Sequence, residues 1–95
     1  MFQGKVAVVT GASGGLGSAI CRALAEHGAR IVAIDVSRER AQDAVDQLAA
    51  AGFEGAIPVA ADVSSADSVS TAFRAIDEKA GRIDILINNA GIREI

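Results

Sequence analysis

Apolar residues along the chain alternate between two spacings. Short, almost unbroken runs occur at residues 6–9 (Val-Ala-Val-Val), 31–34 (Ile-Val-Ala-Ile), 57–60 (Ile-Pro-Val-Ala) and 83–87 (Ile-Asp-Ile-Leu-Ile). Runs that are β-branched and continuous, rather than alternating with polar residues, predict strands buried on both faces, as in a parallel sheet. Pro58 restricts the third run to a sheet edge or a strand start, because proline lacks the N–H that a central strand donates. Between the runs, apolar positions fall three and four apart. A first helix is predicted over about 15–27, with Leu16, Ile20, Ala23 and Leu24 inward and Gly28 as its stop. A second follows Ser37 as N-cap, turns Ala41, Ala44, Val45 and Leu48 inward, and ends near Gly52. A third opens at Ser64-x-x-Asp67, which has the form of a capping box with Asp in place of Glu or Gln. It carries Val69, Phe73, Ile76 and Ala80 as core positions up to Gly81.

The predicted order is β-α-β-α-β-α-β without a linker, low-complexity tract or sequence repeat, so residues 1–95 read as one unit. Right-handed crossovers then give an α/β fold: a Rossmann-like parallel sheet with strand order 3-2-1-4. That is one half of the six-stranded doubly wound sheet. The first two helices belong on one face and the third on the other. One helix over four strands leaves the second face under-covered and the fourth strand an open edge, through which a homo-oligomer is expected to form.

Composition narrows the partners. Nine basic residues against twelve acidic give a net charge of −3 and a pI near 4.9, which argues against nucleic acid or an anionic membrane. A single cysteine cannot make an internal disulfide, no leader-type apolar segment opens the chain, and no run reaches the length of a membrane span, so a soluble cytoplasmic chain is expected. Aromatics make up only 3% of a chain that is 51% hydrophobic, so the core must be aliphatic. Cys21 reads as a small buried hydrophobe and His27 as a helix C-terminal residue, and no spacing suggests a metal site. Tyrosine is absent altogether, which excludes any mechanism that needs a phenol from these residues alone.

The chemistry sits directly after the first strand. Thr10-Gly11-Ala12-Ser13-Gly14-Gly15-Leu16-Gly17 opens into the first helix. Glycine lets the backbone turn tightly and approach a ligand, while a helix N-terminus offers N–H groups and positive potential to an anion. The alternative is a tight turn with no ligand, but the strand-before, helix-after context favours a pyrophosphate. No Gly-Lys-Ser/Thr follows, which excludes a triphosphatase loop. Asp35 ends the second strand, eighteen residues after Gly17. A carboxylate there accepts ribose hydroxyls and repels a 2′-phosphate, which predicts NAD over NADP; its alternative role is as a cap or a solvated turn residue. Ser13 and Val36 supply no cation for that phosphate, whereas the nearby Arg38 and Arg40 weaken the exclusion.

With these residues in hand, the chain resembles the N-terminal, cofactor-binding half of the short-chain dehydrogenase/reductase family. Thr10-Gly11-x-x-x-Gly15-x-Gly17 matches its TGxxxGxG loop, Asp62-Val63 its adenine-contacting pair after the third strand, and Asn88-Asn89-Ala90-Gly91 its NNAG segment. The resemblance implies that Gly11, Ser13, Gly14, Gly15, Leu16 and Gly17 line the ribose and pyrophosphate of NAD. It further implies that Asp62 and Val63 meet the adenine, that Asn89, Ala90 and Gly91 border the ribose, and that Asn88 braces the central strand. It also implies hydride transfer between nicotinamide and a carbonyl or alcohol substrate. The family performs that step with Tyr-x-x-x-Lys, a Ser and a further Asn, none of which matches a segment of these residues, so no catalytic residue is assigned and the chain alone is expected to be inactive.

Two rivals remain at this point. A self-associating, non-enzymatic module paired at the fourth strand accounts for the open edge. A fold using another adenosine cofactor, such as S-adenosylmethionine, accounts for Asp35 but not for the paired TGxxxGxG and NNAG segments.

Overall fold

The computed structural model describes residues 1–89, and the elements follow in the expected order: β1 (Val6–Thr10), α1 (Gly15–Glu26), β2 (Arg30–Asp35), α2 (Arg38–Ala50), β3 (Ile57–Ala60), α3 (Ala66–Ala80) and β4 (Ile85–Ile87). The strands form one parallel sheet in the order β3-β2-β1-β4. In register, Val8 lies beside Val32 on one side and Leu86 on the other, and Val32 beside Ile57.

The unbroken apolar runs are explained by two core layers. Ala7, Val9, Ile31 and Ala33 pack against Cys21 and Ala25 of α1 and Ala44 and Leu48 of α2. Alternate residues Val6, Val8, Val32 and Ile34, joined by Ile57 and Val59, pack against Ala72 and Ile76 of α3. Every residue of β1 is buried because each face of the strand meets a helix layer. Pro58 stands in β3 at the sheet's edge, where a missing N–H costs little. At the other edge Leu86 is 54% exposed, on the face that α3 covers only in part.

Several local expectations need correction. The buried stripe of α1 is Gly17, Cys21 and Ala25, while Leu16 and Ala23 are exposed and Ile20 and Leu24 only flank the core. The helix lies close on the sheet through small residues, so its most hydrophobic stripe is not its innermost one. Cys21 is buried as expected, and burial pushes its thiol pKa up to about 11. The N-cap of α3 is Ser65, not Ser64, and its hydroxyl accepts from the Ser68 N–H at 3.2 Å. Phe73, expected in the core, is 36% exposed, with Ala72 and Ile76 filling the buried stripe of α3.

The fourth strand starts at Ile85 rather than Ile83. Asp84 ahead of it clasps β1 instead: its carboxylate accepts from the Val6 N–H at 2.8 Å and its own N–H donates to the Val6 carbonyl at 2.9 Å. Arg82 holds that carboxylate with two hydrogen bonds, at 2.8 and 2.7 Å. These bonds from Arg82, followed by the one from Val6, keep the Asp84 carboxyl below the usual carboxylate range. The ends of the second helix follow expectation: Ser37 caps it through the Arg40 N–H, and Ala51 and Gly52 close it.

Candidate functional site

Because all strands are parallel, their C-terminal ends share one rim of the sheet. The glycine loop leaves that rim after β1, Asp35 ends β2, Asp62 and Val63 follow β3, and Asn88 and Asn89 follow β4. The predicted residues Gly11, Ser13, Gly14, Gly15, Leu16, Gly17, Asp35, Asp62, Val63 and Asn89 are therefore gathered along one edge. Ala90 and Gly91 lie outside the described residues.

The loop is braced from three sides. The Ala12 N–H donates to the Ile34 carbonyl at 3.1 Å, extending the β1–β2 ladder by one bond. The Gly14 N–H turns back to the Gly11 carbonyl at 3.3 Å, and the Asn89 side-chain amide donates to that same carbonyl at 3.3 Å. The Thr10 hydroxyl lies 3.2 Å from Asn88 Oδ1 and 3.4 Å from the Ile87 carbonyl, tying β1 to the end of β4. Thr10 and the Asn89 contact were not singled out from sequence; Thr10 directly precedes the first glycine of the motif, which was the available signal.

The glycines divide by what surrounds them. A Cβ on Gly17 would stand 1.9 Å from the Gly11 carbonyl oxygen, so that glycine is demanded by the protein's own packing. A Cβ on Gly15 would meet nothing within 4 Å among the described residues, which leave the space above Gly15 open. The start of α1 is also electrostatically open. Its N-cap Gly14 has no capping side chain and its first turn carries no acid, whereas α2 has Ser37 and Glu39 and α3 has Ser65 and Asp67. The positive end of α1 thus meets neither a capping side chain nor an acid of its own first turn.

Asp35 is 6% exposed and faces this loop. Its Oδ2 accepts from the Ser13 hydroxyl at 2.6 Å and from the Ser13 N–H at 3.0 Å, and its Oδ1 from the Val36 N–H at 2.8 Å. Burial raises its pKa, but the Ser13 and Val36 hydrogen bonds, together with the charge of Arg40, outweigh that and hold the carboxyl below its ordinary range. Asp35 is thus ionised, and it is neither a solvated turn residue nor a helix cap, since Ser37 caps α2.

Asp62 is exposed beyond β3. Its Oδ1 accepts from the Ser64 hydroxyl at 2.6 Å and the Ser64 N–H at 3.0 Å, which lower its pKa, while its N–H donates to Ser68 Oγ at 2.8 Å. Val63 lies beside an apolar cavity of about 230 Å³ between α3 and the ends of β1 and β4, bordered also by Thr10, Ala61, Phe73, Leu86 and Asn88. Among the described residues no three His, Cys, Asp or Glu side chains group to hold a metal ion, and no helix is long and apolar enough to cross a membrane.

Known proteins resemble the chain in sequence and fold. The family model described as short chain dehydrogenase matches residues 5–95. A D-threitol dehydrogenase from Mycolicibacterium smegmatis is 47% identical over 95 residues, covering 99% of this chain and 36% of its own length. The crystal structure of a metagenomic short-chain oxidoreductase in complex with NADP superposes with a TM-score of 0.85 at 41% identity, over 96% of this chain and 41% of that one. A structure of NAD+-bound xylitol dehydrogenase gives a TM-score of 0.87 at 38% identity, over 96% and 35%. The chain spans little more than a third of the length of these proteins.

Proposed function

The chain belongs to the short chain dehydrogenase family, and from that premise we propose that it forms the NAD(H)-binding part of an oxidoreductase acting on a carbonyl or alcohol substrate. The observation that carries this reading is the buried, ionised Asp35 held against the glycine loop. Both NADP- and NAD+-bound proteins resemble the chain, so the resemblance does not choose between them. Asp35 does. A fixed negative charge at the end of β2 favours the two free hydroxyls of an NAD ribose and disfavours a 2′-phosphate. Gly14, Ser13 and Val36 offer no compensating cation. Arg40 reaches Asp35 only through its charge, as the smallest of the influences on that carboxyl.

The remaining residues take roles set by their place on the rim. The uncapped start of α1 at Gly14, Gly15, Leu16 and Gly17 receives the pyrophosphate, with the open space at Gly15 admitting a phosphate oxygen close to the backbone. Gly11 and Asn89 hold the loop's shape. Asp62, whose Oδ1 is taken by Ser64, keeps Oδ2 for the adenine amine beside Val63. Asn88 and Thr10 fix β4 against β1. When bound, a nicotinamide would supply or take up the hydride; these 95 residues contain no tyrosine to exchange a proton with the substrate oxygen. We accordingly assign them binding and orientation, in a cytoplasmic setting, and no proton transfer. Titration of NADH and NADPH by their own fluorescence tests this reading: NADH is expected to bind about tenfold or more tightly than NADPH, with Asp35→Ala narrowing the gap, and equal affinities in the unmodified chain would overturn it.

A second reading is motivated by the face of the sheet beside β4, where Leu86 is 54%, Val63 41% and Phe73 36% exposed. Two copies pairing along β4 would cover it, as a homo-oligomer. Sedimentation at micromolar concentration separates the cases: a stable monomer removes the self-association reading.

A further inference from the structure

Among the described residues β3 ends the sheet on the side opposite β4, and its register leaves one row of backbone groups without a strand to meet. Ala33 lies beside Pro58 and Asp35 beside Ala60, and the Ala61 N–H donates to the Asp35 carbonyl at 2.9 Å. In a parallel ladder this points the backbone groups of Val59 and Ala61 toward β2 and turns those of Pro58 and Ala60 outward. Proline has no N–H to leave bare. The outward groups are therefore the Pro58 carbonyl and the N–H and carbonyl of Ala60, which is exposed. A groove of about 200 Å³ runs between this edge and α3, floored by Val59, Ala72 and Ala75. Arg38, Thr71 and Lys79 border it, and among the described residues no carboxylate does. Arg38 opens α2, which follows the C-terminal end of β2, whereas Lys79 closes α3, toward the N-terminal ends of the strands. The two cations thus stand toward opposite ends of the groove. Neither side chain makes an ion pair or hydrogen bond among the described residues.

We propose that the β3 edge takes up an extended acidic segment of a partner protein as a further strand, with one carboxylate meeting Arg38 and another Lys79. Backbone pairing with Pro58 and Ala60 supplies the attachment, and the two cations supply the choice of partner. β3 is four residues long, about 13 Å at the usual rise, which is also the span between side chains four apart on one face of a strand. Acids at positions i and i+4 of the partner therefore suit the two ends of the groove. A second copy of the chain does not. Pairing β3 with β3 would set Arg38 and Lys79 against the same two cations. Nucleic acid is disfavoured by the net charge of −3. The groove uses none of the residues placed on the cofactor rim, so the proposal stands apart from the NAD(H) reading.

The test is amide NMR of the 95-residue chain titrated with the synthetic peptide acetyl-Thr-Glu-Val-Thr-Val-Glu-Thr-amide and with its counterpart carrying Lys for both Glu. The acidic peptide is expected to give saturable shifts at Val59, Ala60 and Thr71 and to slow hydrogen exchange of the Ala60 N–H. The lysine counterpart should bind about tenfold more weakly, since it sets like charges together. Arg38→Gln and Lys79→Gln change exposed side chains and should leave the fold intact. Each should weaken the acidic peptide about two- to fivefold, the range of an exposed ion pair, and added salt should weaken it further. No saturable shift at Ala60 with about 1 mM acidic peptide, equal affinity for the two peptides, or unchanged affinity in both variants would overturn the proposal. Shifts at Ala60 that follow protein concentration with no peptide present would assign the edge to a second copy, and would overturn it as well.

Discussion

Gly17 lies so close to Gly11 that a Cβ added to it would stand 1.9 Å from the Gly11 carbonyl oxygen, with Asn89 Nδ2 a further obstacle at 2.9 Å. The helix therefore begins tightly against the loop that precedes it, and Asn89 closes the contact from β4. Gly15, two residues earlier, has no such neighbour. Gly17→Ala is expected to destabilise the chain by about 3 kcal/mol, since backbone must shift to admit the methyl group. Gly15→Ala should leave stability within about 1 kcal/mol, because alanine suits a helix better than glycine, yet should weaken NADH. Urea unfolding and NADH titration of both variants check the split between a packing glycine and a ligand glycine.

Adjacent serines before α3 do different work. Ser65 caps the helix through the Ser68 N–H, while Ser64 donates to Asp62. Ser65→Ala should cost about 1 kcal/mol, the usual value of a lost N-cap. Ser64→Ala should change stability by only about 0.5 kcal/mol or less. Its effect should instead be a raised Asp62 pKa, because a hydrogen bond to the charged form is lost. Side-chain carboxyl titration by NMR measures the second outcome.

The pH dependence of stability follows from Asp35. Its carboxyl is held below the ordinary value of 3.8: burial alone would raise it, and the Ser13 and Val36 hydrogen bonds overcome that. A depressed native pKa means that the charged form is stabilised in the folded state. That stabilisation is present above the unfolded value and is lost as pH falls through the folded one. The stability difference between the unmodified chain and Asp35→Asn should therefore be largest near neutrality and shrink steadily below 3.8. Urea midpoints across an acid series measure it, and a difference independent of pH would count against the assignment.

Much of this was legible in the sequence because it rests on local rules. The continuous runs around Val8 and Val32 read as strands buried on both faces, Ser37 as a cap, and the glycine loop as a tight passage from strand to helix. The residues that escaped are those whose role is set by distant partners or by close packing. Cys21 and Ala25 line the buried stripe of α1 because a helix drawn close to the sheet through Gly17 has room only for small side chains. Hydrophobicity therefore pointed to Leu16, which is exposed. Phe73 has the spacing of a core residue, but α3 covers only part of its face of the sheet, and the ring lies at the border of that cover. Asp84 binds Val6 from 78 positions away, and the Ser13–Asp35 contact spans 22 positions, separations that no local pattern encodes.

The proposed function requires that the rim formed by the glycine loop, Asp35, Asp62 and Asn89 bind a nicotinamide dinucleotide. Amide NMR of the 95-residue chain titrated with NAD+ addresses it most directly. Saturable shifts are expected, concentrated at Gly11–Gly17, Val36, Asp62–Val63 and Asn88–Asn89, with Asp35→Ala reducing them. Saturable shifts confined elsewhere, for instance to the groove between α1 and α2 around Cys21 and Leu48, or no shifts at millimolar NAD+, would contradict it.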